Sequence, residues 1–339
     1  MIIEAHKDLT RFNTLGFKSN AKAFVAIHSE ADLVGALNYA RENGLSIHVL
    51  SGGSNILVAP EVDGLVLYMD IMTRQAEVDD QHVFLTLGAG EGWHETVQWS
   101  VEQGYFGIES MALIPGKVGA APVQNIGAYG AEISDVLVSV RAYDREKEGF
   151  VTLEKEDCRF AYRDSLFKQS PGRFIITEVT LKLSTAGLSN VRYDALESYF
   201  TAQGILSPDL MQVFQAVCEV RRSKLPDPAV LGNAGSFFKN PVVCESRFNE
   251  LKTRYPNIIA YPDASGNYKL AAGWLIDQCQ WKGHRQGAVG VYAKQALVLV
   301  HYGLGALDAL LQLAKEIQNS VETTFGVSLE IEPQPFPVP

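Results

Sequence analysis

Thiol is scarce in these 339 residues, and the four cysteines (Cys158, Cys218, Cys244, Cys279) are scattered without a C-x-x-C pair or metal-ligand spacing. They read as free thiols of a reducing compartment, not as a disulfide frame or a zinc site. No apolar run is long enough to span a bilayer. The start, Met1-Ile2-Ile3-Glu4-Ala5-His6-Lys7-Asp8, lacks the basic-then-apolar layout of a secretory leader. The expectation is a soluble, cytoplasmic chain. Basic charge is also short, with 29 Lys and Arg against 39 Asp and Glu, a net −10. That balance argues against a broad nucleic-acid or anionic-membrane surface. Any anionic ligand must then be held by a few local cations and main-chain amides. Repeats are absent, and the only biased stretch is the proline-spaced C-terminal end. His94-Glu95-Thr96-Val97-Gln98 falls one residue short of H-E-x-x-H, because Gln98 stands where the second imidazole is needed. A metal enzyme is rejected on these residues.

What is present describes a globular protein, 47% hydrophobic and 20% charged, long enough for two to three domains. Phe24–His28 reads as a strand leading to a helix capped by Ser29, with Leu33, Leu37 and Ala40 on one face. After the strand Ile47–Leu50 comes Ser51-Gly52-Gly53-Ser54-Asn55. It reads either as a hairpin turn or as a concave anion site of successive N–H groups. It is not a dinucleotide fingerprint, since the strand-like Ile56-Leu57-Val58 follows it instead of a helix. A helix from Trp93 to Gln103 precedes a second small-residue segment, Ile114 to Gly130, expected to be a long structureless loop. Its four glycines and three alanines leave main chain bare for a flat ring or a pyrophosphate.

Strands are expected at 136–143 and 174–183, with loop-rich sequence at 184–209. Between the two strands, Arg163 lies among aromatics beside Asp164, either as a buried structural pair or as a fork for a carboxylate. Further on, Gly232-Asn233-Ala234-Gly235-Ser236-Phe237-Phe238-Lys239-Asn240-Pro241 combines two glycines with a hydroxyl, an ammonium and an amide. It is either a tight turn before a core strand or a ligand turn. The cationic run Arg221-Arg222-Ser223-Lys224, a short loop upstream, favours an anionic ligand beside a proton donor. A helix over 271–280, a strand over 295–300 and a long helix over 306–325 complete the chain. The expected units are residues 1–70, 71–200 and 201–339.

These blocks, taken with Asn13-Thr14-Leu15-Gly16, Tyr162-Arg163-Asp164-Ser165 and Lys224-Leu225-Pro226-Asp227-Pro228, occur in an order that resembles the UDP-N-acetylenolpyruvoylglucosamine reductases of peptidoglycan synthesis (the MurB family). The likeness runs over nearly the whole chain, and the Tyr193 loop resembles the longer of the family's two types. It implies an α+β protein: two subdomains of the vanillyl-alcohol-oxidase-like (PCMH) FAD-binding fold plus a C-terminal α+β substrate domain whose tail returns to the active site. It implies non-covalent FAD, NADPH as hydride donor and a UDP-sugar substrate, with no metal, nucleic-acid or membrane partner. By the same resemblance FAD contacts Ser51, Gly52, Gly53, Ser54 and Asn55, then Pro115, Gly116, Gly119, Ala120, Gln124, Asn125, Gly127, Ala128, Tyr129 and Gly130. Ser236 donates a proton, and Arg163 and Glu332 sit at the substrate carboxylate. Tyr162, Tyr193, Lys224, Asn240 and Gln295 hold the substrate or the nicotinamide nucleotide. One departure stands out: the family usually carries Val-Arg or Val-Lys after the tail glutamate, where this chain has Pro333-Gln334. Covalent flavin oxidases of the same fold often attach the ring through a histidine near the pyrophosphate loop, and Ser51–Asn55 contains none.

Overall fold

A computed structural model describes residues 1–338 apart from 188, 190, 192 and 264. The first sheet runs Glu4–Asp8, Asn20–Ile27, Glu61–Met69, Ile47–Leu50. Its first pair is antiparallel and the other two are parallel. Parallel strands need a crossover, which the helix Glu30–Glu42 provides. The Ser29 hydroxyl accepts the Asp32 N–H at 3.1 Å, satisfying a donor that the first helical turn leaves free. Leu33, Ala36 and Ala40 of that helix are fully buried against Val25, Ile27, Leu65 and Leu67.

The second sheet is antiparallel, in the order Gly149–Glu154, Leu137–Asp144, Phe174–Ser184, His82–Gly88, Arg74–Val78. Val83, Leu85 and Leu87 point inward at period two and are fully buried. Three helices cover this core: Trp93–Glu102, Asp194–Gln203 and Leu210–Lys224. Asp194–Gln203 corrects the sequence reading, and Leu210–Lys224 adds a helix that it did not assign. Within the span expected to be loop, residues 188, 190 and 192 lie outside the described residues, but 194–203 is helical. Arg221, Arg222 and Lys224 form the last turn of a fifteen-residue helix. Its signals were local: a capping box in which Asp209 accepts the Gln212 N–H and Gln212 accepts the Asp209 N–H, then buried Leu210, Val213, Val217 and Val220 at helical spacing. The expected boundary at 200 falls inside Asp194–Gln203, and both helices bury apolar side chains in the second core. We propose a junction between the second and third units near residue 225.

The third unit holds two small antiparallel sheets and the helices Glu245–Arg254, Ala272–Gln278 and Leu307–Phe325. Leu310, Leu313, Ile317, Val321 and Phe325 make the buried stripe of the last helix. Gly326 ends it with φ +60, an angle open to glycine at little cost. The strand expected over 295–300 is confined to Leu299–His301, and Gln295 lies in the preceding turn. The tail is a strap. Its strand Gln334–Phe336 runs parallel to Ile56–Val58, while Ile331 bridges Phe238. It therefore ties the loop after Ile47–Leu50 to the glycine turn of the third unit. Among the described residues no helix is long and apolar enough to cross a membrane.

Candidate active site

Two glycine-bearing loops meet at the floor of a cleft of about 600 Å³. Ser51–Asn55 follows the buried end of the strand Ile47–Leu50, so its amides open at a strand terminus. Gly53 has φ +60, and a Cβ there would lie 1.8 Å from the Phe12 carbonyl oxygen. Gly52 is pressed on Gly116, whose Cα would sit 2.8 Å from an added Cβ. The Ser54 hydroxyl donates to the Pro115 carbonyl at 2.9 Å, joining the loops. The 114–130 segment is not structureless: it contains 3-10 turns at Val118–Ala120 and Pro122–Gln124 and a small hairpin, Gly127–Ala128 with Ala131–Glu132. Its N–H groups are anchored at Val118 to the Glu91 carbonyl (2.8 Å) and at Gly119 to the Ala89 carbonyl (3.0 Å). Gly53→Ala should cost about 1–3 kcal/mol from the backbone angle alone, before the Phe12 carbonyl moves. A lower melting temperature together with weakened cofactor retention is the expected pair of results, and unchanged values for both would show that the loop adapts freely.

Arg163 occupies the turn between Ala161 and Asp164, which exchange backbone hydrogen bonds at 3.1 Å in both directions. Its φ of +54 is unusual for an arginine, and strain of this kind collects at functional sites. The guanidinium does not pair with Asp164, whose carboxylate accepts Gln169 Nε2 at 2.8 Å. Instead Nε lies 3.3 Å from Glu332 Oε1, while Nη1 and Nη2 donate to the carbonyls of Asn125 (3.3 Å) and Gly127 (3.0 Å). Glu332 arrives on the tail strap, its N–H donating to the Phe237 carbonyl at 2.9 Å. Burial pushes its carboxyl pKa upward, with Arg163, Lys168 and Lys239 pulling it back. Glu330, two residues earlier, is 69% exposed and pairs with Lys239 at the surface. Ser236 faces the same cleft from the glycine turn. The turn is held by Asn233, which donates to the carbonyls of Pro226 (3.1 Å) and Leu231 (2.9 Å) and accepts the Gly235 N–H (3.0 Å).

The cleft thus gathers Ser51, Gly52, Gly53, Ser54, Asn55, Pro115, Gly116, Gly119, Ala120, Gln124, Gly127, Arg163, Ser236 and Glu332 along its walls. Other expected site residues stand elsewhere. The buried Asn125 side chain is engaged by Glu132, the Ala161 carbonyl and the Ser134 N–H. Ala128, Tyr129 and Gly130 form the hairpin tip, where Tyr129 meets Tyr193 edge-on at 5.2 Å. Burial raises the pKa of both phenols, and the neighbouring Tyr261 raises that of Tyr193 further. Tyr162 lies under the Lys269 ammonium, 3.9 Å from the ring centre, and burial raises its phenol pKa. Asn240 Oδ1 accepts the Ala272 N–H at 2.9 Å, and Gln295 Oε1 would lie 3.0 Å from a Cβ on Gly273 of the same helix. Lys224 is exposed at its helix end.

Three cations on the walls were missed by sequence reasoning, Lys117, Arg145 and Lys168, while Arg221 comes from the cationic run already read as favouring an anionic ligand. Lys117 and Lys168 lie inside segments already singled out, whereas nothing near Arg145 signals a site. Lys117 is paired with Asp70 at 2.8 Å. Arg221 donates to the Leu113 carbonyl at 3.2 Å, and its Nε is sealed from solvent without a partner. The Ser51 hydroxyl is likewise buried and unpartnered. Orphaned donors beside bare main chain fit a pyrophosphate-bearing group with a flat ring, so the residues suit FAD.

Fold and site together define a two-subdomain flavin-binding protein of the vanillyl-alcohol-oxidase-like type with an added C-terminal α+β domain. A family model described as an FAD binding domain matches residues 21–152. Residues 227–336 match the C-terminal domain of UDP-N-acetylenolpyruvoylglucosamine reductase. The fold is shared with 6-hydroxy-D-nicotine oxidase from Arthrobacter nicotinovorans, at a TM-score of 0.54 and 14% identity over 96% of this chain and 86% of that one. UDP-N-acetylenolpyruvylglucosamine reductase from Thermus caldophilus superposes at a TM-score of 0.69 and 22% identity, over 99% of this chain and 100% of the other. A UDP-N-acetylenolpyruvoylglucosamine reductase of Ralstonia nicotianae is 48% identical over 98% of both chains. The chain belongs to the UDP-N-acetylenolpyruvoylglucosamine reductase family.

Proposed function

We propose that this chain reduces the enolpyruvyl ether of UDP-N-acetylglucosamine to UDP-N-acetylmuramate, a step of peptidoglycan precursor synthesis in the cytoplasm. The observation that carries the reading is the convergence of Arg163, Glu332 and Ser236 in one glycine-walled cleft. The two loops would hold FAD, which would supply a hydride after reduction by NADPH. The substrate is an enol ether conjugated with a carboxylate, so hydride adds to the methylene carbon, β to that carboxylate. The π electrons move onto the α carbon and the carboxylate oxygens. Arg163, already forked and held by Glu332, faces that developing charge without having to reorganise. The Ser236 hydroxyl, on a turn fixed by Asn233, gives its proton to the α carbon and recovers one from water. A hydroxyl is a weak acid, but an enolate carbon is basic enough to take its proton when the geometry is right. Tyr162, Tyr193, Lys224, Asn240 and Gln295 hold the nucleotide portion outside the cleft walls.

Two outcomes follow. The purified protein should be yellow, and denaturation should release intact FAD. A colourless protein that takes up no added FAD would overturn the reading. Glu332→Gln should impair enolpyruvyl reduction far more than Glu330→Gln, since only Glu332 holds Arg163. Steady-state kinetics on both variants check this, and the reverse ranking would move the role to Glu330.

A further inference from the structure

We infer that Lys168 is the group that balances the substrate carboxylate, making it the residue that selects a carboxylate-bearing UDP-sugar. The inference deepens the proposed function and rests on it. Arg163 is already committed, to Glu332 and to two main-chain carbonyls. Lys239 is committed to Glu330. Lys168 has no carboxylate: its ammonium donates to the Arg163 carbonyl at 2.9 Å, and it forms no ion pair among the described residues. It nonetheless lines the cleft with Glu332 and Ser236, and its ammonium lies beside that of Lys239.

The local charge therefore does not close. Arg163, Lys168 and Lys239 are three cations, against the two carboxylates Glu330 and Glu332. A proton on Glu332, which burial favours, only enlarges the excess. Burial and the Lys239 ammonium hold the Lys168 pKa below its usual value, as expected for a partly desolvated cation still without a counter-ion. Arg145 and Arg221 also line the cleft without an ion pair among the described residues, but the cations that act on Glu332 are Arg163, Lys168 and Lys239. Beside Glu332 one positive charge is therefore uncompensated, and the enolpyruvyl group brings one negative charge. The Arg163–Glu332 pair then positions the group, while Lys168 supplies the missing electrostatic partner. Its bond to the Arg163 carbonyl also steadies a residue at positive φ, so charge and bracing must be separated by experiment.

The test is isothermal titration calorimetry of the oxidised holoprotein, without NADPH, using two probes: the enolpyruvyl UDP-N-acetylglucosamine and UDP-N-acetylglucosamine itself, which lacks the carboxylate. Wild type should prefer the enolpyruvyl probe. Lys168→Gln keeps a donor for the Arg163 carbonyl but loses the charge, and should cut that preference roughly ten- to hundredfold. Lys168→Arg should keep most of it. Both should bind UDP-N-acetylglucosamine like wild type, which controls for folding; if the glutamine variant fails that control, Lys168→Met serves as the neutral variant. A preference retained in the neutral variant, or lost equally in the arginine variant, overturns the assignment while leaving the functional reading intact. Wild type without a preference overturns both.

Discussion

Ser236→Ala should leave NADPH able to bleach the holoprotein at close to the normal rate while recovery with the enolpyruvyl UDP-sugar slows by about two to four orders of magnitude. That range is the usual scale for losing general acid catalysis. The asymmetry is the informative part, because the hydroxyl is needed only after hydride has moved. Alanine removes one oxygen from a half-buried side chain, and the turn is held by Asn233 and by the Phe237 N–H on the Leu297 carbonyl at 2.8 Å, not by the serine. Stopped-flow absorbance measures the two half-reactions separately. Equal slowing of both would indicate a distorted shared cleft, and a small, unselective loss would return Ser236 to a purely structural turn.

Arg163→Lys should lower the enolpyruvyl half-reaction by about a hundred- to a thousandfold, the range for removing one preorganised donor from developing charge, with FAD retained. Lysine keeps the charge but loses the planar fork, and the fork is what reaches Glu332, Asn125 and Gly127 together. Arg163→Ala should also cost stability, about 3–5 kcal/mol, because it strands the largely buried Glu332 carboxylate. Chemical denaturation of both variants separates these effects. Normal turnover with lost flavin in Arg163→Lys would make Arg163 a bracket for the 125–127 segment and nothing more.

Local chemistry made much of the protein legible. Ser29 and the Leu33–Ala40 stripe marked the first helix, and the glycine loops declared themselves because close main-chain approach leaves few alternatives to glycine. The helix Leu210–Lys224 was legible too, through its Asp209–Gln212 box, but its cationic end drew the reading toward ligand charge instead. What local pattern could not contain is long-range pairing. Glu330 and Glu332 lie two apart on an extended tail, and period two puts both on the same side. Only the bridge of Ile331 to Phe238 and the pairing of Gln334–Phe336 with Ile56–Val58 decide which one enters the cleft. Lys168 stayed unnoticed for a related reason, since its significance lies in what it is not paired with. Pro333-Gln334, where the family usually has a cation, takes part in the strap: the Gln334 N–H donates to the Asn55 carbonyl at 3.0 Å and its side chain to the Glu332 carbonyl at 2.9 Å.

In the proposed reaction one cleft passes reducing equivalents from NADPH to the enolpyruvyl carbon. The most direct measurement is an anaerobic double-mixing experiment on the wild-type holoprotein, first with one equivalent of NADPH and then with the enolpyruvyl UDP-sugar. The oxidised visible spectrum should return at a rate compatible with turnover, with one UDP-N-acetylmuramate formed per NADPH consumed. A spectrum that stays bleached until oxygen is admitted, with no reduced sugar product, would contradict the account and leave an oxidase of the same fold in its place.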